Sequence, residues 1–84
     1  MSELEKLKER LKLIPKDFTY NEAKTLLNKL GFAEFNKGKT SGSRVKFQKN
    51  NISILLHKPH PNNEMKKVYV KQLLEFLTEI GEIK

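Results

Sequence analysis

Both imidazoles of the chain, His57 and His60, stand in the stretch LLHKPHP, at the exit of an apolar run and separated only by Lys58 and Pro59. Histidine is the side chain that ordinarily changes charge near neutral pH, so a close pair invites proton-transfer chemistry. Which chemistry depends on the neighbours. Metal ligation fits poorly, because Glu64 is the nearest carboxylate and no HExxH-type spacing occurs. A serine triad lacks its GxSxG elbow, and GKTSG at 38–42 lacks the phosphate-loop order, in which lysine follows the second glycine. Cleavage of RNA without a metal needs fewer parts. A neutral imidazole takes the proton of a 2′-hydroxyl, and a cation stabilises the charge that develops on the phosphorane.

Cations are abundant, and they are concentrated. The chain carries a net charge of +7, and residues 31–72 alone hold nine Lys/Arg against two acids, Glu34 and Glu64. An even scatter of lysine would serve solubility; confinement to one segment marks a face for a polyanion. With 84 residues the chain is long enough for one domain with a modest core. The first residues, MSELEKLKER, lack a signal peptide's apolar run, and no stretch approaches the roughly 18 apolar residues of a membrane span. The absence of cysteine excludes disulfides and thiolate metal sites. A cytoplasmic protein without a cofactor is the expectation.

The elements that position these residues follow from pattern and punctuation. Ser2 and Glu5 form a capping box ahead of Leu4, Leu7, Leu11 and Ile14, so a first helix is predicted over 3–14, stopped by Pro15. Thr19 and Glu22 form a second capping box, with Phe18 at the staple position against Ala23. Helix 20–30 follows, with Ala23, Leu26, Leu27 and Leu30 as its stripe, Gly31 as a left-handed cap and Phe32 folding back near Leu27. A short strand is predicted over 32–37, with Ala33 and Phe35 on one face, and a loop over 38–42. Strands 44–49 and 52–57 alternate cleanly and are joined at Asn50-Asn51, since asparagine tolerates the positive φ of a tight turn. Pro59 and Pro61 bar regular structure from KPHPNNEMKK. A last helix is predicted from about Tyr69 to Ile80, with Val70, Leu73, Leu74, Leu77 and Ile80 inward and Gly81 ending it.

The two-residue turn fixes a register. Lys49 pairs with Ile52, Phe47 with Ile54 and Val45 with Leu56, which makes the core face self-consistent. On the other face Gln48 meets Ser53, Lys46 meets Leu55, and Arg44 meets His57. Directly opposite residues have Cβ atoms about 4.5–5.5 Å apart. Arg44 and His57 are therefore predicted side by side on the solvent face of the sheet. Lys66, Lys67 and Lys71 crowd the start of the last helix, where the dipole disfavours cations and favours a phosphate. Omitting the first helix, the order α-β-β-β-α describes an α+β fold like that of double-stranded-RNA-binding domains, with a three-stranded antiparallel sheet.

The runs LLNKLGF, GSRVKF and LHKPHPNNEMKKVYVKQLLEFL, spanning about residues 20–83, resemble HicA toxins of bacterial toxin–antitoxin pairs. The resemblance implies a small mRNA-cleaving protein of the double-stranded-RNA-binding-like fold, neutralised by a HicB antitoxin. Two features depart from that pattern. Gly42-Ser43-Arg44 stands where such toxins read Gly-Ser-His, so arginine occupies the usual catalytic position, and helix 3–14 precedes the point where they begin. The chain divides accordingly into an N-terminal helix extension, 1–15, and an RNA-binding domain, 16–84. His57 is the candidate base, Arg44 the charge stabiliser and His60 the acid. Ser43, Lys46, Lys58, Lys66, Lys67 and Lys71 are candidate RNA contacts. The alternatives are a non-catalytic RNA- or DNA-binding module of the same fold and a basic domain that meets an acidic protein.

Overall fold

Among the described residues the chain runs in the order α1 (Glu3–Lys12), α2 (Tyr20–Lys29), β1 (Ala33–Phe35), β2 (Arg44–Lys49), β3 (Ile52–His57) and α3 (Lys67–Glu79). The computed structural model describes residues 2–35, 44–57 and 64–83, and at Arg44 the backbone alone. The strands form one antiparallel sheet in the order β1-β2-β3. From α2 to α3 this is the α-β-β-β-α order of a double-stranded-RNA-binding-like fold. The hairpin register runs from Lys49↔Ile52 to Arg44↔His57, with a two-residue connection whose positive φ falls on Asn50, at 54°. Turn length and face pattern were sufficient to set it.

Alternation divides the sheet into two faces. Val45, Phe47 and Leu56 are buried against the helices, α2 contacting β1 and α3 contacting β3. Lys46, Ser53 and Leu55 stay exposed on the other side. The core gathers Phe18, Leu26, Leu27, Phe47, Val70, Leu73 and Leu77, all fully buried. Helix α1 joins the same cluster through Leu7 and Leu11 and packs on both α2 and α3. Arg10 ties it down: its Nε donates to Glu22 Oε2 at 2.6 Å, and one terminal nitrogen donates to Asp17 Oδ1 at 2.9 Å. Glu22 also closes the capping box of α2, accepting the Thr19 N–H at 3.0 Å while its own N–H donates to Thr19 Oγ1.

Helix ends explain the boundaries. Gly31 (φ 101°) and Gly81 (φ 87°) take the left-handed conformation after α2 and α3. Phe32 N–H donates to Leu27 O with Gly31 N–H to Asn28 O, and Glu82 N–H donates to Leu77 O with Gly81 N–H to Thr78 O, the paired bonds of a Schellman cap at each helix. Phe32 thus belongs to that cap and is buried, so β1 begins one residue after the predicted strand. Helix α1 ends at Lys12, two residues before the prediction. Pro15 disfavours the helical region at Ile14, which instead adopts φ 47°, and Pro15 has no N–H to complete the cap. Helix α3 begins at Lys67, two residues before the prediction; Lys66 precedes it with no side-chain capping bond. The core stripe starts only at Val70, which is why periodicity placed the start too late. No helix among the described residues is long and apolar enough to cross a membrane.

Candidate nucleic-acid interface

The position of His57 follows from strand order. Because β3 lies at an edge of the sheet, its last residue borders whatever element flanks that edge, here the first turns of α3. His57 is partly buried, and its ring lies flat on the Tyr69 ring, with centroids 4.5 Å apart and planes inclined by 15°. This corrects the expectation of a freely exposed side chain on the solvent face. The backbone partnership with Arg44 is as the register required. Tyr69 stands two residues after Lys67, so the stack also brings His57 to the end of α3 at which Lys66 and Lys67 sit.

The cations fall into two groups. Most of those on the helical side have acidic partners: Lys8 with Glu5, Arg10 with Asp17 and Glu22, Lys12 with Glu9, Lys24 with Glu34 and Lys29 with Glu3, while Lys6 and Lys16 are exposed without an ion pair among the described residues. Lys49 is also committed. Its ammonium donates to Leu30 O at 2.8 Å and to Glu82 Oε2 at 3.2 Å, binding the carbonyl end of α2, where a cation is favoured. Lys46, Lys66, Lys67 and Lys71 are exposed and have no ion pair among the described residues. A cation without a carboxylate neighbour keeps its full attraction for a phosphate.

Lys46 also lies in a distinct row. It is the backbone partner of Phe35 on β1 and of Leu55 on β3, and both apolar side chains are exposed, at 44% and 53%. A lysine between two exposed apolar groups suits a ligand with both charge and apolar surface. Around the outer edge of β3, Leu55, His57, Tyr69, Gln72, Leu73 and Phe76 line a groove of about 190 Å³. Tyr69, Gln72, Phe35 and Leu55 are the residues that sequence reasoning left out of the site. Tyr69 carried a signal: it is an aromatic residue outside the Val70–Leu73–Leu77 stripe, and it packs half-buried against the edge of the core. Of the predicted residues, the structure brings together Arg44, Lys46 and His57 on neighbouring strands, and Lys66, Lys67 and Lys71 at the start of α3. Ser43, Lys58 and His60 lie outside the described residues, as does the Arg44 side chain.

A family model described as the HicA toxin of bacterial toxin–antitoxin systems matches residues 20–80, from the first residue of α2 to the end of α3. No curated protein and no solved structure matches the chain significantly.

Proposed function

Because the chain belongs to the HicA toxin family, whose members are the toxins of toxin–antitoxin systems and so imply an antitoxin partner, we propose that it binds RNA on its basic sheet and cleaves mRNA without a metal. The observation that carries this reading is the pairing Arg44↔His57. Arginine holds the family's usual histidine position, and the hairpin sets an imidazole directly across from it. At that separation, about 4.5–5.5 Å between Cβ atoms, one imidazole can serve in place of the other.

The roles follow from proton bookkeeping. His57, as neutral imidazole, removes the proton of a 2′-hydroxyl, and the 2′-oxygen attacks the adjacent phosphorus. Arg44 cannot be the base, since its pKa exceeds about 12, and it stabilises the phosphorane charge instead. His60 donates a proton to the departing 5′-oxygen, leaving a 2′,3′-cyclic phosphate and a 5′-hydroxyl. Ser43, Lys46, Lys58, Lys66, Lys67 and Lys71 hold flanking phosphates, which positions the strand without reading sequence. The antitoxin is a HicB-like protein with an acidic surface, and it covers the exposed Phe35–Lys46–Leu55 row together with His57. Co-expression of the two should protect these residues from solvent.

The test is the 2′-hydroxyl itself. RNA should be cut and a 2′-deoxy-substituted strand of the same sequence should stay intact, while His57→Ala should lose about a hundredfold or more of the rate. Cleavage of the deoxy strand, or full activity in His57→Ala, removes this mechanism. A second reading rests on Arg44 itself: a member that has lost the usual histidine and binds RNA without cutting it. Tight, salt-sensitive binding with no cleavage product would establish that one.

A further inference from the structure

The groove along the outer edge of β3 is apolar, with exposed lysines of α3 toward its His57 end and the exposed Glu75 and Glu79 toward the other. Its floor and walls come from Leu55, Leu73 and Phe76, the stacked His57–Tyr69 pair lies along it, and Gln72 brings a side-chain amide. Among the described residues no Lys, Arg, Asp or Glu lines it. Lys71 precedes Gln72 in the chain, and Lys67 begins the same helix, both exposed. A ligand that fits must present a flat apolar body to the groove and negative charge to its surroundings. In an acidic protein segment the charge and any planar ring sit on different side chains. An unpaired nucleotide has both parts joined in one residue.

We propose that this groove takes one unpaired base of the RNA strand, adjoining the phosphate that His57 serves, and that Gln72 reads the edge of that base. The proposal rests on the reading of the protein as an RNA binder, and it adds a contact to the base itself on a surface whose lysines reach only phosphates. Base stacking on side chains tolerates every base, whereas an amide offers one acceptor and a pair of donors on neighbouring atoms. That combination matches adenine, which presents an acceptor and an amino donor side by side.

The experiment uses labelled full-length protein, nuclear magnetic resonance and two small probes, too short to slide in register: the dinucleotide adenylyl-adenosine and its abasic counterpart. The adenine dinucleotide should shift the signals of Leu55, Gln72 and Phe76 and bind about tenfold more tightly or better than the abasic one. Gln72 and Leu55 are exposed, so Gln72→Leu and Leu55→Lys should leave the fold intact. Gln72→Leu should weaken binding of the base-bearing probe and leave the abasic one unchanged, and Leu55→Lys should erase the difference between base-bearing and abasic probes. Equal affinity for the two probes, with shifts only at the lysines, overturns the groove while leaving RNA binding in place. Groove signals that move only when the antitoxin is added overturn it in favour of a protein-docking surface. Failure of long single-stranded RNA to bind at low salt removes both readings together.

Discussion

The imidazole of His57 and the phenol ring of Tyr69 lie nearly parallel, 4.5 Å between centroids. Such a stack covers one face of the imidazole and restrains its rotation, so that the ring edges, which bear the nitrogens, are what a substrate meets. In the proposed reaction Tyr69 is a positioning residue: it touches the base and need not touch RNA. Stacked aromatic pairs contribute about 0.5–1.5 kcal/mol beyond area burial. Tyr69→Phe should keep both the stack and the cleavage rate. Tyr69→Leu should lower kcat while leaving KM for RNA nearly unchanged, and the His57 ring resonances should broaden or move. Equal loss in the Phe variant would instead implicate the hydroxyl.

The unpaired lysines predict the salt response. Lys66→Ala and Lys67→Ala together should reduce RNA affinity and flatten its dependence on salt concentration, because fewer counterions are released on binding. Both residues are exposed, so the melting temperature should hardly change. Lys49→Ala should do the reverse. Its ammonium is held by Leu30 O and Glu82, so the loss appears in stability and not in RNA affinity.

Much of this arrangement is written in local signals. Gly31 and Gly81 announce their caps because a left-handed residue is needed there, and the Arg44–His57 pairing follows from a two-residue turn and a consistent apolar face. The stack on Tyr69 was not legible. Periodicity says which residues face the core, but not which side chain reaches past an edge strand to a neighbouring helix. The same limit hid the Arg10–Glu22 contact, whose partners lie twelve residues apart on separate helices. The strained Ile14 could be anticipated only as a boundary: Pro15 shows that the helix stops, not that the preceding residue turns left-handed.

Helix α1 lies before the residues the family model matches, yet Leu11 is fully buried in the common core. Leu11→Ala should therefore destabilise the whole domain by about 2–5 kcal/mol, the range for emptying a buried leucine site. Thermal unfolding followed by circular dichroism would measure it. A loss confined to α1, with the sheet melting unchanged, would mean that the helix folds as an independent appendage.

Acid should loosen the same junction. Burial pushes the Glu22 carboxyl up, but the Arg10 side chain and the Thr19 backbone N–H, which both donate to it, leave it below the ordinary value of 4.5. A carboxyl depressed in the folded state contributes stability that is full above its unfolded value and is lost as pH falls through its lowered one. Wild type should thus be more stable than Glu22→Gln at neutral pH, and the difference should shrink below about pH 4.5. A difference that stays constant with pH would show that Glu22 acts by shape alone.

The substitution Arg44→His tests the departure from the family pattern. It restores Gly-Ser-His at positions 42–44, placing an imidazole on β2 directly opposite the one on β3. If His57 has taken over the work of that position, the two sites are interchangeable to a first approximation, because facing residues on paired strands differ by only a few ångströms in Cβ position. His57→Ala alone should then be inactive, and the double variant Arg44→His, His57→Ala should recover part of the lost cleavage. Arg44→His alone should cut RNA but bind it more weakly, since in the proposed reaction a guanidinium suited to grip phosphate in a fixed fork is exchanged for an imidazole. Cleavage rates of the four proteins on one RNA, with affinities measured in parallel, separate these effects. A double variant as dead as His57→Ala would show that the base must come from β3 and that position 44 serves only the charge.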